Sequence, residues 1–188
     1  MTLIVWDIDD VLNELTSNWL KWVDDPFISE KSQLTNSRFE EILGWSRKDY
    51  LKSLDRFRRE QFINLEPNQL IQNFMARHSR ISNLLLSATP LTCAPISARW
   101  AFVHFGEWID GVLIAPSPRA SRSSTRMSKR DHIFRLVKTG EQVICIDDQP
   151  ANILEARDAG AAAFLWPQPW NESSSSQDAV LDSISVTL

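Results

Sequence analysis

Cysteine and histidine are scarce in this 188-residue sequence, and their scarcity closes off several kinds of chemistry. Only two cysteines occur, Cys93 and Cys145, each among apolar or small neighbours. They signal neither a disulfide framework nor a zinc site, and they read as buried, inert thiols. His78, His104 and His132 have no spacing that suits a metal or a nucleophilic triad, and they read as surface or partly buried structural residues. Long apolar runs are missing as well. The chain starts directly on the apolar run at 3–6 with no basic leader, so the expected location is the cytosol, with no membrane as partner. Nor does positive charge prevail. A formal net charge of −4 argues against a nucleic-acid polymer as partner, since a phosphate backbone is usually met by a net basic surface. A small ligand held by local positive groups stays compatible with that charge. No internal repeat is present, and oligomeric state is not legible.

What is there suits one packed core. Apolar residues at 43% and charged residues at 23% allow a globular interior and rule out wholesale disorder. The length accommodates one core with a small inserted unit, and is short for two ordinary independent domains.

Five short apolar runs, at 3–6, 84–86, 112–115, 143–146 and 162–166, read as strands. They are apolar without alternation, as strands covered on both faces are. Helical stretches lie between the later runs. Pro95 opens one that carries Ile96, Trp100 and Val103 and stops at Gly106; a second runs from Ser128 to Lys138; a third starts at Pro150 and ends at Gly160. Strand, helix, strand repeats predict a parallel sheet. The interval 13–82 differs: it has no clear strand, is rich in charge and aromatics, and reads as a helical insertion after the first strand. The expected fold class is therefore α/β, a Rossmann-like parallel sheet of about five strands flanked by helices, with a small helical insertion. The core comprises 1–12 and 83–172, the insertion 13–82, and a flexible C-terminal tail 173–188 opened by four serines. Residues 118–128 read as a polar, basic loop.

Two acidic motifs stand at strand ends. Asp7-Ile8-Asp9-Asp10-Val11-Leu12 follows the first strand, placing Asp7 and Asp9 at the carboxyl edge of the sheet, where open parallel sheets bind ligands. Alone, such a pair often just ends a strand or caps a helix. Cys145-Ile146-Asp147-Asp148-Gln149-Pro150 repeats the placement, and capping explains one of its aspartates better than two. If the sheet joins the motifs, Asp7, Asp9, Asp147 and Asp148 repel one another unless a cation sits among them. Oxygen-only ligands with room for water and phosphate point to Mg²⁺. Ser87 ends the second strand in position to donate to a phosphoryl oxygen, and Lys129 opens a later helix; each by itself is an ordinary turn serine or surface lysine.

Taken in order, the DxDxVL motif, the serine after a buried strand, the lysine opening a helix and the strand ending in Asp-Asp together resemble the four motifs of the haloacid dehalogenase superfamily, over residues 1 to about 170. The resemblance implies Asp7 as nucleophile forming an aspartyl-phosphate, Asp9 as acid and then base, and Ser87 and Lys129 as phosphate-binding groups. It implies Mg²⁺ bound by the Asp7 carboxylate, the Asp9 backbone carbonyl and the Asp147/Asp148 pair, without saying which of that pair binds directly. Members that cleave carbon–halogen bonds lack an acid at the place of Asp9, so phosphoryl chemistry is implied, on a small phosphorylated metabolite. Phosphotransfer or a phosphomutase reaction would use the same residues, and a noncatalytic regulatory module would keep only the fold. The insertion corresponds to a helical cap. Its aromatics Trp19, Trp22, Trp45, Tyr50 and Phe57 would stack on a flat substrate or, as is commoner, form the cap's own core. The run Asp147-Asp148-Gln149-Pro150-Ala151-Asn152-Ile153 and Pro167-Gln168-Pro169-Trp170-Asn171 are similar to the soluble 5′-nucleotidase branch. Asp10 stands where glycine is commonest. Arg119, Arg122 and Arg126 would draw an anionic substrate or form a solvated loop.

Overall fold

The structure is a computed structural model that describes residues 1–24, 30–36, 38–117, 127–171 and 173–188. Five parallel strands, β1 (Thr2–Trp6), β2 (Ser82–Ser87), β3 (Gly111–Ile114), β4 (Gln142–Asp147) and β5 (Ala162–Leu165), form one sheet in the order β3-β2-β1-β4-β5. From β1 the chain moves outward through β2 to β3, then returns to lay β4 on the other side of β1. The direction of winding therefore reverses between β1 and β4, and the crevice outside their carboxyl ends is where such sheets bind ligands.

Side-chain alternation explains why the strands read as solid apolar runs. In β1, Ile4 and Trp6 enter one core, while Leu3 and Val5 enter another on the opposite face. The second core is closed by α6 (Lys129–Val137) and α7 (Pro150–Asp158), through Ile133, Ile153 and Ala156. Small residues there, Ala156, Ala159, Ala161 and Ala163, let helix and sheet approach closely. The first core contains Trp100 and Phe105 of α5 (Ala94–Phe105) and Phe74 of α4 (Gln69–Arg77), whose ring meets Trp6 edge-on at 5.8 Å. The indole Nε1 of the buried Trp6 donates to Asn83 Oδ1 at 2.9 Å, which satisfies two polar groups inside that core.

The part of the chain that projects after β1 carries α1 (Leu15–Val23), α2 (Phe39–Ile42) and α3 (Arg47–Gln61), and α4 follows it. Its two ends meet. Asn13 and Pro67 form an antiparallel bridge, and the Asn68 N–H donates to the Leu12 carbonyl at 2.7 Å. Asn68 also caps α4, its side chain accepting from the Leu70 N–H. The chain thus leaves and re-enters the core at one paired stem, after which α4 runs along the sheet.

The C-terminal stretch corrects the sequence reading of a flexible tail. Residues 177–187 form α8 (Gln177–Thr187), with Val180, Leu181 and Ile184 buried in the first core. The serines opening it end in a cap: Ser176 Oγ accepts from the Ala179 N–H at 3.1 Å. Among the described residues no helix is long and apolar enough to cross a membrane.

Candidate active site

Parallel pairing of β1 with β4 sets the site. Trp6 is in register with Ile146, and the Asp7 N–H continues the ladder to the Ile146 carbonyl at 2.9 Å, so Asp7 and Asp147 leave the sheet side by side. Asp7, Asp147 and Asp148 are buried, and each offers a carboxylate oxygen such that all three lie within 4.8 Å of one another. Lys129 completes the group, with its Nζ 2.7 Å from Asp7 Oδ1 and 2.7 Å from Asp147 Oδ2. Its position follows from local sequence: Ser128 and Asp131 form a reciprocal capping box that fixes the start of α6, and Lys129 is the first residue of that helix.

The electrostatics of this group call for a cation. With all three carboxylates ionised, one ammonium leaves an excess of two negative charges in a buried place. Burial pushes Asp7 up to about 7, against Lys129 and with help from the Asp147 and Asp9 carboxylates. Burial, then Asp147 and Asp7, raise Asp148 well above the usual carboxylate range. Burial opposes the charge on Lys129, but Asp147 and Asp7 outweigh it and hold the ammonium far above its ordinary pKa. A divalent ion with oxygen ligands would relieve that excess, and the donor set fits Mg²⁺.

The two adjacent aspartates are not equivalent. Asp147 is saturated: Lys129, the Asn152 amide (2.9 and 3.0 Å) and the Gln149 N–H (2.9 Å) all donate to it. Asp148 receives Trp170 Nε1 at 2.8 Å and Gln149 Nε2 at 2.6 Å, both on Oδ2, and it lines the cleft that Asp7 and Asp9 also line. Asp9 turns its carboxylate elsewhere, to Arg58 of α3, whose Nη2 donates to Oδ2 at 2.5 Å. The Asp9 carboxylate is therefore not part of the three-residue group. Ser87 is buried at the end of β2, and its neighbour Ala88 lines the cleft. Thr89 is buried too, with a hydroxyl that has no partner among the described residues.

The cleft is small, about 170 Å³, and the insertion walls it with Phe39, Tyr50, Leu54 and Arg58. Of the five insertion aromatics singled out in the sequence, Tyr50 lines it. Trp19 is buried against Trp45 (6.1 Å) and Tyr50 (5.4 Å), and Trp22 packs on Phe57 (5.7 Å), so these mainly build the insertion's interior. Arg119, Arg122 and Arg126 lie outside the described residues. The three histidines are half-buried and outside the acidic group, and both cysteines are buried and unpaired. Burial pushes the Cys145 thiol up to about 12, which keeps it protonated and inert.

Residues 167–171 clamp both acidic loops. Gln168 Nε2 donates to the Asp10 carbonyl, Trp170 holds the Asp148 carboxylate, and Asn171 Nδ2 donates to the Asp148 carbonyl at 2.7 Å. Asp10 has φ 59°, the left-handed conformation that explains why glycine suits this place. Aspartate is held there by Thr16, whose N–H and hydroxyl both donate to its carboxylate, while burial pushes its pKa up to about 7. Arg58 and Thr16 carried no sequence signal as site residues, and Asn152 stood in the run that follows Asp147 without a role assigned to it. Gln168, Trp170 and Asn171 did stand in a motif, but their contacts with the acidic loops depend on tertiary packing.

No protein-family model matches the sequence, and no curated protein matches it. Solved structures do. The chain is similar to a haloacid dehalogenase-like protein of unknown function from Agrobacterium tumefaciens, with a TM-score of 0.64 and 13% identity over 98% of this chain and 96% of that one. It is similar to a HAD-superfamily hydrolase, subfamily IA, variant 1, from Geobacter sulfurreducens, with a TM-score of 0.63 and 11% identity over 99% and 96%. A third likeness is to a hydrolase of the haloacid dehalogenase-like family from Streptococcus pneumoniae, with a TM-score of 0.59 and 18% identity over 97% and 90%. The chain has the haloacid dehalogenase-like α/β fold, with a parallel sheet in the order β3-β2-β1-β4-β5 and a helical insertion after β1.

Proposed function

We propose that the chain is a magnesium-dependent phosphohydrolase of the haloacid dehalogenase superfamily that cleaves small phosphomonoesters, with Asp7 as nucleophile. The observation that carries this reading is the convergence of Asp7, Asp147 and Asp148 around Lys129 at the switch point of the sheet. Asp7 attacks phosphorus and the bond to the leaving oxygen breaks, giving an aspartyl-phosphate. Asp9 gives a proton to the departing alcohol, then takes one from the water that hydrolyses the aspartyl-phosphate and restores Asp7. Lys129 and Ser87 hold the phosphoryl oxygens as charge redistributes. Mg²⁺ would be held by the Asp7 carboxylate, the Asp9 backbone carbonyl and Asp148, with Asp147 anchoring Lys129. When bound, the ion supplies the positive charge that lowers repulsion between an anionic nucleophile and an anionic phosphate.

The unit between the stem residues Asn13 and Pro67 acts as a cap that selects substrate and excludes bulk water. The 167–171 clamp is the feature that the soluble 5′-nucleotidase branch would share, and deoxyribonucleoside monophosphates belong in any substrate panel for that reason. We place the protein in the cytosol, a reading supported by two unpaired, buried thiols. The test is phosphate release from a panel of phosphomonoesters with and without Mg²⁺, and again with added acceptor alcohols. Magnesium-dependent phosphate release supports the hydrolase. Phosphorylated acceptor formed in place of free phosphate would make it a transferase, and no turnover by folded, Mg²⁺-loaded protein would leave a noncatalytic module.

A further inference from the structure

Among the described residues of the cap, Arg58 is the charged side chain that lines the cleft, and the protein itself under-uses it. Arg58 lies in the last turn of α3 and is 5% exposed. Its Nη2 donates to Asp9 Oδ2 at 2.5 Å, while Nη1 stands 3.7 Å from Asp55 Oδ1, beyond hydrogen-bond reach. Nε and Nη1 have no hydrogen-bond acceptor among the described residues. A guanidinium offers five donors in a planar fork suited to binding a carboxylate through two oxygens. Here Asp9 meets the fork through one oxygen, and the other Asp9 oxygen, Oδ1, is also buried without a partner. The pairing is thus incomplete on both sides, although both groups are largely shielded from water.

We propose that Arg58 is a specificity-determining residue that binds a carboxylate of the substrate, so that the preferred substrates are compact phosphomonoesters with a carboxylate a few atoms from the phosphate. The inference rests on the hydrolase reading above and names the substrate class of that same site. Asp9 stands in for the substrate carboxylate. When Asp9 takes up a proton from solvent and turns to give it to the leaving oxygen, it vacates the Arg58 fork, and a substrate carboxylate takes its place and keeps the guanidinium paired. A substrate without that group leaves the buried guanidinium facing Asp55 alone, whose Oδ1 stands 3.7 Å from Nη1 and beyond hydrogen-bond reach. The size of the cleft points the same way. At about 170 Å³ it falls below the roughly 300 Å³ at which ligand pockets usually begin, and its other walls from the cap, among the described residues, are Leu15, Thr16, Phe39, Tyr50 and Leu54. A phosphoryl group and a short carbon chain suit that space; a nucleoside does not.

Phosphoglycolate and ethyl phosphate differ by the carboxylate alone in place of a methyl group, and form the matched pair for the test. With Mg²⁺, wild-type kcat/KM is expected to favour phosphoglycolate by at least about tenfold, with a deoxyribonucleoside monophosphate below it. In Arg58→Met the ratio falls toward one, and Arg58→Lys restores part of it; loss of the Asp9 contact slows both substrates together and leaves the ratio unaffected. Equal kcat/KM for the pair in the wild type overturns the assignment while leaving the hydrolase standing, and it does so even if Arg58→Met does not fold. A preference that survives in folded Arg58→Met overturns it too. Calorimetric binding of the same two esters separates the layers: selective binding of phosphoglycolate without any phosphate release would remove the hydrolase and keep the Arg58 assignment.

Discussion

The ammonium of Lys129 lies 2.7 Å from Asp7 Oδ1, so the proposed nucleophile is held by the positive group that would also receive the phosphate. Lys129→Met leaves Asp7 and Asp147 as neighbouring buried carboxylates. Breaking a buried pair in this way costs about 3–5 kcal/mol, and denaturant unfolding of the metal-free protein should show a loss of that size. Phosphate release should fall by about 100-fold or more, as when a donor to a developing oxyanion is removed. Unchanged stability would mean that the carboxylates are neutralised by another group.

Burial also couples this site to pH. Asp7 and Asp10 have pKa values of about 7 in the folded chain, against roughly 3.9 for an exposed aspartate. Between those values the folded state binds more protons than the unfolded one, so metal-free stability is greatest below about pH 4 with respect to these groups and falls as pH rises through about 7. If Mg²⁺ takes the place of the protons at the acidic group, as proposed, its stabilisation should be larger at about pH 8 than at about pH 5. Thermal melts with and without Mg²⁺ at the two pH values measure this. An equal shift at both would separate metal binding from these carboxylates.

Trp170 joins the C-terminal clamp to the acidic group through its indole N–H on Asp148 and packs its ring on Phe39 of the cap at 5.0 Å. Trp170→Phe keeps most of the ring and removes the donor. Loss of a hydrogen bond that orients a metal ligand typically costs about 10–100-fold in metal affinity, and Mg²⁺ titration followed by calorimetry should find a weakening in that range. Affinity within a factor of two of wild type would show that Asp148 is oriented without Trp170.

The helix α8 can be tested against the tail that its serines suggest. Leu181 is 3% exposed and Val186 is 90% exposed on the same helix. Leu181→Ala should cost about 2–5 kcal/mol and Val186→Ala within about 0.5 kcal/mol, both read from denaturant unfolding. Equal, small effects would mean that α8 contributes nothing to the core.

What was legible in the sequence depended on how local its cause is. The strand runs at 3–6 and 143–146 were readable because both faces of β1 and β4 are covered, which removes polar positions altogether. The ends of the helices were readable at Pro150 and at the Ser128 cap, where one residue fixes the boundary. The acidic group was readable because strand ends in a parallel sheet converge whatever lies between them. α8 was misread because four serines mask a helix whose Val180, Leu181 and Ile184 spacing was present. Arg58 escaped notice because its role arises from a cap helix folding back across 49 residues to meet Asp9. The difference in surroundings between Asp147 and Asp148 arises from the three donors to Asp147, and two of these, Lys129 and Asn152, come from different helices.

The most direct test of the account is the rate of phosphate release from the best substrate of the panel, with and without Mg²⁺, for wild type and Asp7→Asn. The account predicts release by the wild type that requires Mg²⁺ and disappears in Asp7→Asn, which lacks the nucleophilic carboxylate while keeping its shape. Release retained by Asp7→Asn would contradict Asp7 as nucleophile, and release by the wild type that does not respond to Mg²⁺ would contradict the acidic group as a magnesium site.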